Sequence, residues 1–364
     1  MTRPLTPVAT NTTPRTNPVT FTSVTLDRPG ARIGSAAVRL AAVRRRIPFL
    51  ILLGAVLFTG TCVRLPLFAE GPGPVRDVLP AISISGHERY GSSGRIILTT
   101  VAVTTDRLTP FQFVHAWLDP DQNVVPEREI LAPGESPEEE ARRARSSMDA
   151  SKVAAAFVVM SKLTSYPRRH GSGALIEEVV SGCPAEGNLF PGDVVTRIDG
   201  REIRDLKDAS SALDRAPGGT PLSFEVTAGG RVEQVEITKR ACAGSEEPLV
   251  GVSMVGNFPF GISFKSGEVS GPSAGLMWAL GLYDLLTPRD LTAGRVVAGT
   301  GSISPDGEVA PIAGVGEKVL AATRAGADVF LIPEANLDEA RAEAGELELI
   351  PVRTFDDAIE KLTG

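Results

Sequence analysis

The stretch "GEVSGPSAGLMWAL" (residues 267–280) decides how the C-terminal part of the chain is interpreted, because it sets Ser273 just before a long apolar segment. No charge follows until Asp284, which predicts a buried helix. A serine caps such a helix well, but here Gly271 and Gly275 crowd it. Taken alone, the serine is a structural cap. We interpret it instead as a nucleophile, whose flanking glycines leave room for an extended substrate backbone.

A nucleophilic serine needs a base, and the sequence offers few. The three histidines, His87, His115 and His170, do not stand beside a recognisable triad partner, and His115 falls in a predicted strand. Lysine remains, and a lysine that is followed by apolar residues on one predicted helix would be buried. Burial there would lower its pKa by roughly 2–3 units from about 10.4, enough for a base near neutral pH.

Three motifs carry a resemblance to a known family. They are "GPSAG" (271–275), "AGTGSISPDGEVAPIAGVGEKVLAA" (298–322) and "AGADVFLIP" (325–333). Together they resemble the proteolytic domain of the Lon family, which are Ser-Lys peptidases. The resemblance implies that Ser273 is the nucleophile, that Lys318 is the general base, and that Thr300 steadies this lysine.

The chain departs from the Lon pattern at two places near these motifs. Ser270 stands where Lon proteases usually have an acidic residue, with Glu268 two places earlier, and Gly316 stands where they have a second lysine. The first departure puts in doubt any carboxylate that orients the site. Lon also couples proteolysis to an ATPase, and no GxxxxGK[ST] motif occurs in this sequence, so we expect cleavage without a nucleotide and without a cofactor.

A second unit precedes the protease-like one. Its segment "PAEGNLFPGDVVTRIDGREI" (184–203) resembles the PDZ domains of exported bacterial proteases. A PDZ domain binds an extended peptide by adding it to a sheet edge. The loop "RHGSGAL" (169–175) would then hold the peptide carboxylate. The residues expected to bind the peptide are Gly171, Ser172, Gly173, Ala174 and Leu175.

The N-terminal part predicts a membrane anchor. Ile47 to Val63 is 17 residues without a charge, preceded by three arginines; as a helix it is about 26 Å long, close to the roughly 30 Å of a bilayer core. Arginines ahead of such a segment favour a cytoplasmic N-terminus. We expect a signal anchor over 47–68 in the lipid bilayer, with the catalytic part outside the cytoplasm. A cleaved signal peptide is the alternative.

Charge and cysteine content exclude other classes. Residues 1–46 carry +7 and the remainder −14 of the net −7, which argues against nucleic acid as a partner. The three cysteines lack the spacing of a zinc site, so no metal is expected. Cys183 and Cys242 would lie in the exported part, and whether they pair is left open.

The whole chain resembles YlbL-like PDZ–Lon proteins. We expect an α/β (α+β) Lon-type proteolytic domain and a mostly-β PDZ domain behind one transmembrane helix. The parts expected are a disordered basic cytoplasmic tail (1–46), the anchor (47–68), a β/α segment associated with the protease (69–165), the PDZ domain (166–242) and the proteolytic domain (246–364). Lon-like domains often form rings, which implies a homo-oligomer.

Two functions fit this organisation. The first is a membrane-anchored serine endopeptidase that cleaves extracytoplasmic proteins or peptides docked by the PDZ domain. The alternative is an inert PDZ scaffold at the membrane.

Overall fold

The computed structural model describes residues 34–242 and 247–364, with side chains from residue 48 onward. Residues 1–33 of the predicted disordered tail lie outside the described residues, but 34–46 are helical. The chain divides into two compact units, Met1–Phe58 and Thr59–Gly364. Among the residues described, none of the helices has the length and apolar content that crossing a bilayer requires.

The helices of the described residues are α1 Gly34–Cys62, α2 Pro110–Leu118, α3 Glu127–Ile130, α4 Pro137–Leu163, α5 Leu206–Arg215, α6 Gly275–Leu286, α7 Val315–Arg324, α8 Leu337–Glu343 and α9 Phe355–Thr363. The strands are β1 Leu67–Pro72, β2 Arg76–Asp77, β3 Ile82–Ser85, β4 Arg95–Leu98, β5 Val101–Val103, β6 Asn123–Pro126, β7 Gly171–Val179, β8 Val194–Ile198, β9 Arg201–Glu202, β10 Pro221–Ala228, β11 Arg231–Thr238, β12 Arg240–Ala241, β13 Pro248–Leu249, β14 Val252–Asn257, β15 Gly261–Phe264, β16 Val296–Gly299, β17 Ser302–Ile303, β18 Val309–Ala310, β19 Val329–Pro333 and β20 Glu348–Val352.

A five-stranded sheet in the order β2-β4-β16-β19-β20 is the frame of the protease-like part. The strands β4, β16, β19 and β20 are parallel, and β2 is antiparallel at one edge. Because β4 belongs to the 69–165 segment, that segment and the C-terminal part share one sheet. Helices α4 and α6 pack on each other in the same core, where Trp278 is fully buried. The PDZ-like part of the chain is thus inserted between two halves of one fold.

The PDZ-like part is built on a sheet in the order β11-β10-β8-β7-β14, with α5 packed against β7, β8 and β14. Its end strand, β14, lies in the "PLVGVSMV" segment (248–255), which the sequence analysis assigned to the proteolytic domain. Instead, β14 pairs antiparallel with β7 along its length. A disulfide joins Cys183, after β7, to Cys242, after β12. The pairing that the sequence left open is present.

Three local expectations differ from the structure. The segment "RIILTTVAVTT" (95–105), whose alternating β-branched residues predict one strand, forms two strands, β4 and β5, which belong to different sheets. His115 lies in α2 and not in a strand, because Thr109 and a proline at the first turn start a helix with a capping box. The predicted anchor ran to residue 68, but α1 ends at Cys62 and Phe68 is buried in β1.

Candidate active site

Ser273 lies in a 3-10 turn, Pro272–Ala274, directly before α6. Helix α4 and the segment that follows β16 both form hydrogen bonds with this turn. From α4, Ser151 Oγ donates to the carbonyl of Pro272 at 2.9 Å, and the Ala144 carbonyl accepts from Gly271 N at 2.8 Å. From the strand side, Gly301 N donates to the Ser273 carbonyl at 2.7 Å. The hydroxyl of Ser273 is therefore presented by a backbone that is anchored on two sides.

Lys318 is the group that faces this hydroxyl. Its Nζ lies 3.2 Å from Ser273 Oγ and donates to the Ala313 carbonyl at 2.9 Å. Helix α7 carries the lysine in its first turns, after Gly314 in a left-handed conformation (φ 67°). The lysine is 5% exposed. This burial lowers the pKa of Lys318 to about 8, in spite of the opposing effect of nearby carboxylates.

The structure gives Thr300 a different contact from the expected one. Its Oγ1 donates to the Ser273 carbonyl at 3.0 Å. No hydrogen bond from Thr300 to Lys318 occurs among the described residues, where the lysine bonds to Ser273 and Ala313. Thr300 is itself 1% exposed, so its hydroxyl satisfies a buried carbonyl. It therefore supports the turn that carries the serine and does not hold the lysine directly.

The two flanking glycines serve different purposes. Gly271 adopts φ 85° and ψ 154°, a conformation that side chains rarely tolerate, and the space around its Cβ position is open. Gly275 is buried, and a Cβ there would lie 2.6 Å from Ser151 Oγ and 2.8 Å from Ile303 Cγ2. The expectation that both glycines clear space for a substrate is wrong for Gly275, which lets α6 pack closely on its neighbours.

Two carboxylates lie beside Lys318, and the sequence alone did not reveal them. Glu317 is 7% exposed and accepts from Asn123 Nδ2 of β6. Glu70 of β1 is paired with Asn123 across the strands, so the two side chains share a face of the sheet. Burial, then the charges of Glu317 and Glu129, raise the pKa of Glu70. Glu70 and Glu317 are the charges that oppose the fall in the Lys318 pKa most.

The sequence signal for these carboxylates was weak. Glu317 directly precedes Lys318 and resembles an ordinary exposed charge on a helix. Glu70 comes from a segment almost 250 positions away, and the packing of β1 against α7 brings it near. Ser270 and Glu268, which replace the family's acidic position, are both exposed. No described hydrogen bond joins either of them to Ser273 or Lys318. Within 34–242 and 247–364, no group of three His, Cys, Asp or Glu side chains is placed to hold a metal ion.

The five residues expected to hold a peptide carboxylate lie in β7, inside the sheet. Ala174 and Leu175 each pair with β8 on one side and with β14 on the other. Both side chains are buried, and the Ser172 carbonyl accepts from Asn257 Nδ2 at 2.8 Å. Gly171 is paired with Asn257, and a Cβ on Gly173 would meet Val194 Cγ1 at 2.6 Å. A strand with both edges occupied cannot accept a peptide as a further strand, so this expectation is wrong.

Comparison with known proteins agrees with both parts of the fold. Residues 260–363 match the Lon protease (S16) C-terminal proteolytic domain, and residues 156–238 match the PDZ domain. The resemblance drawn from the motifs is confirmed for both domains. Strand β14 lies outside both matched ranges.

Individual relatives are similar to only part of this chain. Lon protease 2 of Bacillus subtilis is 35% identical over 106 residues, which is 29% of this chain and 18% of the relative. Lon protease 1 of Herpetosiphon aurantiacus is 52% identical over 94 residues, 25% of this chain and 11% of the relative. The chain thus spans less than a fifth of the length of these relatives. The crystal structure of the PDZ domain of an SdrC-like protein from Listeria innocua is 23% identical, with 22% of this chain and 92% of that chain covered at a TM-score of 0.21.

Proposed function

We propose that this chain, which joins a Lon (S16) proteolytic domain to a PDZ domain, is a serine endopeptidase that uses Ser273 as nucleophile and Lys318 as general base. One observation carries the proposal. The lysine Nζ lies 3.2 Å from the serine Oγ, in a site that keeps the lysine 5% exposed. This distance is within hydrogen-bond reach, as proton transfer requires. The acid–base partner is thus in place before any substrate binds.

The proposed reaction uses the two groups in sequence. The neutral amine of Lys318 takes the proton from Ser273 Oγ as the oxygen attacks the carbonyl carbon of the peptide bond. The resulting ammonium then gives this proton to the departing amine, which leaves an acyl-enzyme ester on Ser273. Water attacks the ester by the same route. The start of α6, next to Ser273, favours the negative charge that develops on the substrate oxygen.

The pKa of Lys318 sets the expected pH dependence. The base acts only in its neutral form, so activity should rise with pH through about 8. An ordinary lysine would be almost wholly protonated at that pH. Burial therefore raises the fraction of Lys318 that is neutral and able to act as a base near this pH.

Cleavage of casein by the full chain tests the proposal against the inert scaffold. We expect wild type to cleave casein without ATP, and Ser273→Ala and Lys318→Ala each to abolish cleavage. If none of the three proteins cleaves casein, the chain is a scaffold; if all three cleave it equally, Ser273 and Lys318 are not the catalytic pair.

We further propose that the chain is anchored in the cell membrane with its catalytic part outside the cytoplasm. The uncharged run from Ile47 to Val63, preceded by three arginines, supports the anchor. The Cys183–Cys242 disulfide supports the location, since such bonds persist in oxidising compartments. External protease applied to intact cells should degrade the C-terminal part. Protection of that part would contradict the orientation.

The PDZ domain, we propose, docks peptide substrates at the free edge of β14. This strand ends the sheet, and its Val252 and Met254 are partly buried on the same apolar core as Leu213 of α5. A peptide added there would lie between a strand and a helix, with backbone hydrogen bonds to β14. Residues 250–251, which connect β13 to β14, would then take the role that the sequence predicted for 169–175.

A further inference from the structure

Helix α2 presents an apolar face that its own fold does not cover. Phe111, Val114, Trp117 and Leu118 are 46%, 47%, 72% and 68% exposed. At about 100° per residue these four positions fall within an arc of about 120° on the helix. Surface apolar residues are ordinary when scattered, but a contiguous face of this kind marks an interaction site.

The opposite face of α2 already provides the contacts that hold the helix to the fold. Ala116 is buried and Phe113 is partly buried, on a small core that includes Ala69 and Leu108. The helix therefore needs no further apolar residues to stay in place. The exposed face is an addition that the packing of α2 does not explain.

Two contacts place α2 where α1 ends. A Cβ on Gly60, two positions before the end of α1, would lie 2.3 Å from Phe111 Cε2, so the phenylalanine ring rests on that glycine. Arg64 Nη1 donates to the Arg107 carbonyl at 2.9 Å. Arg64 is the first charged residue after the uncharged run that begins at Ile47. The N-terminal end of α2 thus contacts the C-terminal end of α1 and Arg64, where apolar sequence is followed by charged sequence.

We propose that the exposed face of α2 binds the lipid bilayer surface as a short in-plane helix. This inference rests on the anchoring proposed above, because a chain that leaves the bilayer near Arg64 holds α2 at the level of the lipid headgroups. A tryptophan with aromatic and aliphatic neighbours is typical of side chains that insert at this depth. Docking of α2 would fix how far the Ser273–Lys318 site stands from the membrane.

The two tryptophans of the chain provide the test. Trp278 is fully buried, whereas Trp117 is 72% exposed. The full chain is reconstituted into vesicles of phosphatidylcholine and phosphatidylglycerol with brominated acyl chains, and emission is compared between wild type and Trp117→Phe. The difference isolates Trp117. We expect Trp117 to emit at a shorter wavelength than a tryptophan in water and to be largely quenched by the brominated lipid. The emission of Trp278 should stay constant.

A matched pair of variants separates this face from a general effect of surface apolarity. Val114→Ser with Leu118→Ser should weaken the quenching of Trp117 several-fold. Val232→Ser, which removes a 66% exposed valine from β11, should leave it unchanged. Neither change touches the Ser273–Lys318 site, so casein cleavage in detergent should equal that of wild type.

The other outcomes overturn the proposal in distinguishable ways. If the chain floats with the vesicles but Trp117 emits as in water, the anchor stands and α2 does not bind lipid. If Trp117 is shifted to the blue but not quenched, and the shift depends on protein concentration, the face binds a second copy of the chain. If the chain does not float at all, both the anchor and the α2 proposal fail, while casein cleavage still reports on the peptidase.

Discussion

The serine–lysine site and the PDZ sheet differ in how their working parts are assembled. Ser273 and Lys318 lie within the one matched proteolytic domain, and each follows a glycine-containing turn of its own motif, although α4 also anchors the Ser273 turn. The free edge of the PDZ sheet is made by β14, which follows the other PDZ strands and lies outside the range that matches the PDZ family. A sequence motif therefore predicts well where these side chains lie. The edge of a sheet is harder to predict, because it depends on which segment forms the outermost strand.

The largest effect expected is at the serine–lysine site. Ser273→Ala and Lys318→Ala should each lower kcat/KM for a peptide substrate by about a thousandfold or more, because groups that act as a unit fail together. The double variant should be no worse than either single variant. Progress curves over a range of substrate concentrations measure this. Losses that multiply in the double variant would show that Lys318 acts independently of Ser273.

A smaller effect is expected on stability at the two glycines of the site. Gly275→Ala should destabilise the fold by about 1–3 kcal/mol, because the new methyl group collides with Ser151 and Ile303. Gly271→Ala meets open space but is strained by its backbone, also at about 1–3 kcal/mol. Thermal unfolding measures both.

Gly91 supplies the control for both changes. It has open space around its Cβ position and no left-handed φ, so Gly91→Ala should leave the melting temperature near that of wild type. If Gly275→Ala were equally neutral, close packing of α6 would not be the reason for that glycine.

The sequence predicted the site better than the sheet for identifiable physical reasons. Ser273 and Lys318 were found because their motifs resemble those of the Lon family, and because a serine without a histidine partner leaves lysine as the base. The role of Gly275 was misjudged because a missing side chain leaves the same sequence signal whether it faces substrate or the core. Glu70 was missed because its proximity to Lys318 depends on the packing of β1 against α7. The sequence placed 248–255 in the proteolytic domain by chain order and could not tell which sheet this segment joins.

The two ends of the PDZ sheet allow the docking proposal to be tested within one domain. Met254→Lys on β14 should weaken binding of peptides from a random C-terminal library about tenfold, since it places a charge beside α5. Val232→Lys on β11, the other end of the sheet, should not change binding. Fluorescence anisotropy measures the affinity, and unchanged cleavage of a short peptide shows that the variant is folded. Equal effects at both ends would remove β14 as the docking edge.

The smallest effect expected is a shift in the pH profile. The Glu70 carboxylate favours the charged form of Lys318, so it raises the pKa that burial lowers. Glu70→Gln should therefore move the rise of kcat with pH to lower pH, by less than about one unit. Glu129→Gln is the matched control, because Glu129 acts on Glu70 and is not among the charges that raise the Lys318 pKa. A shift to higher pH would mean that Glu70 affects the site other than through its charge, since loss of a negative neighbour can only make the lysine easier to deprotonate.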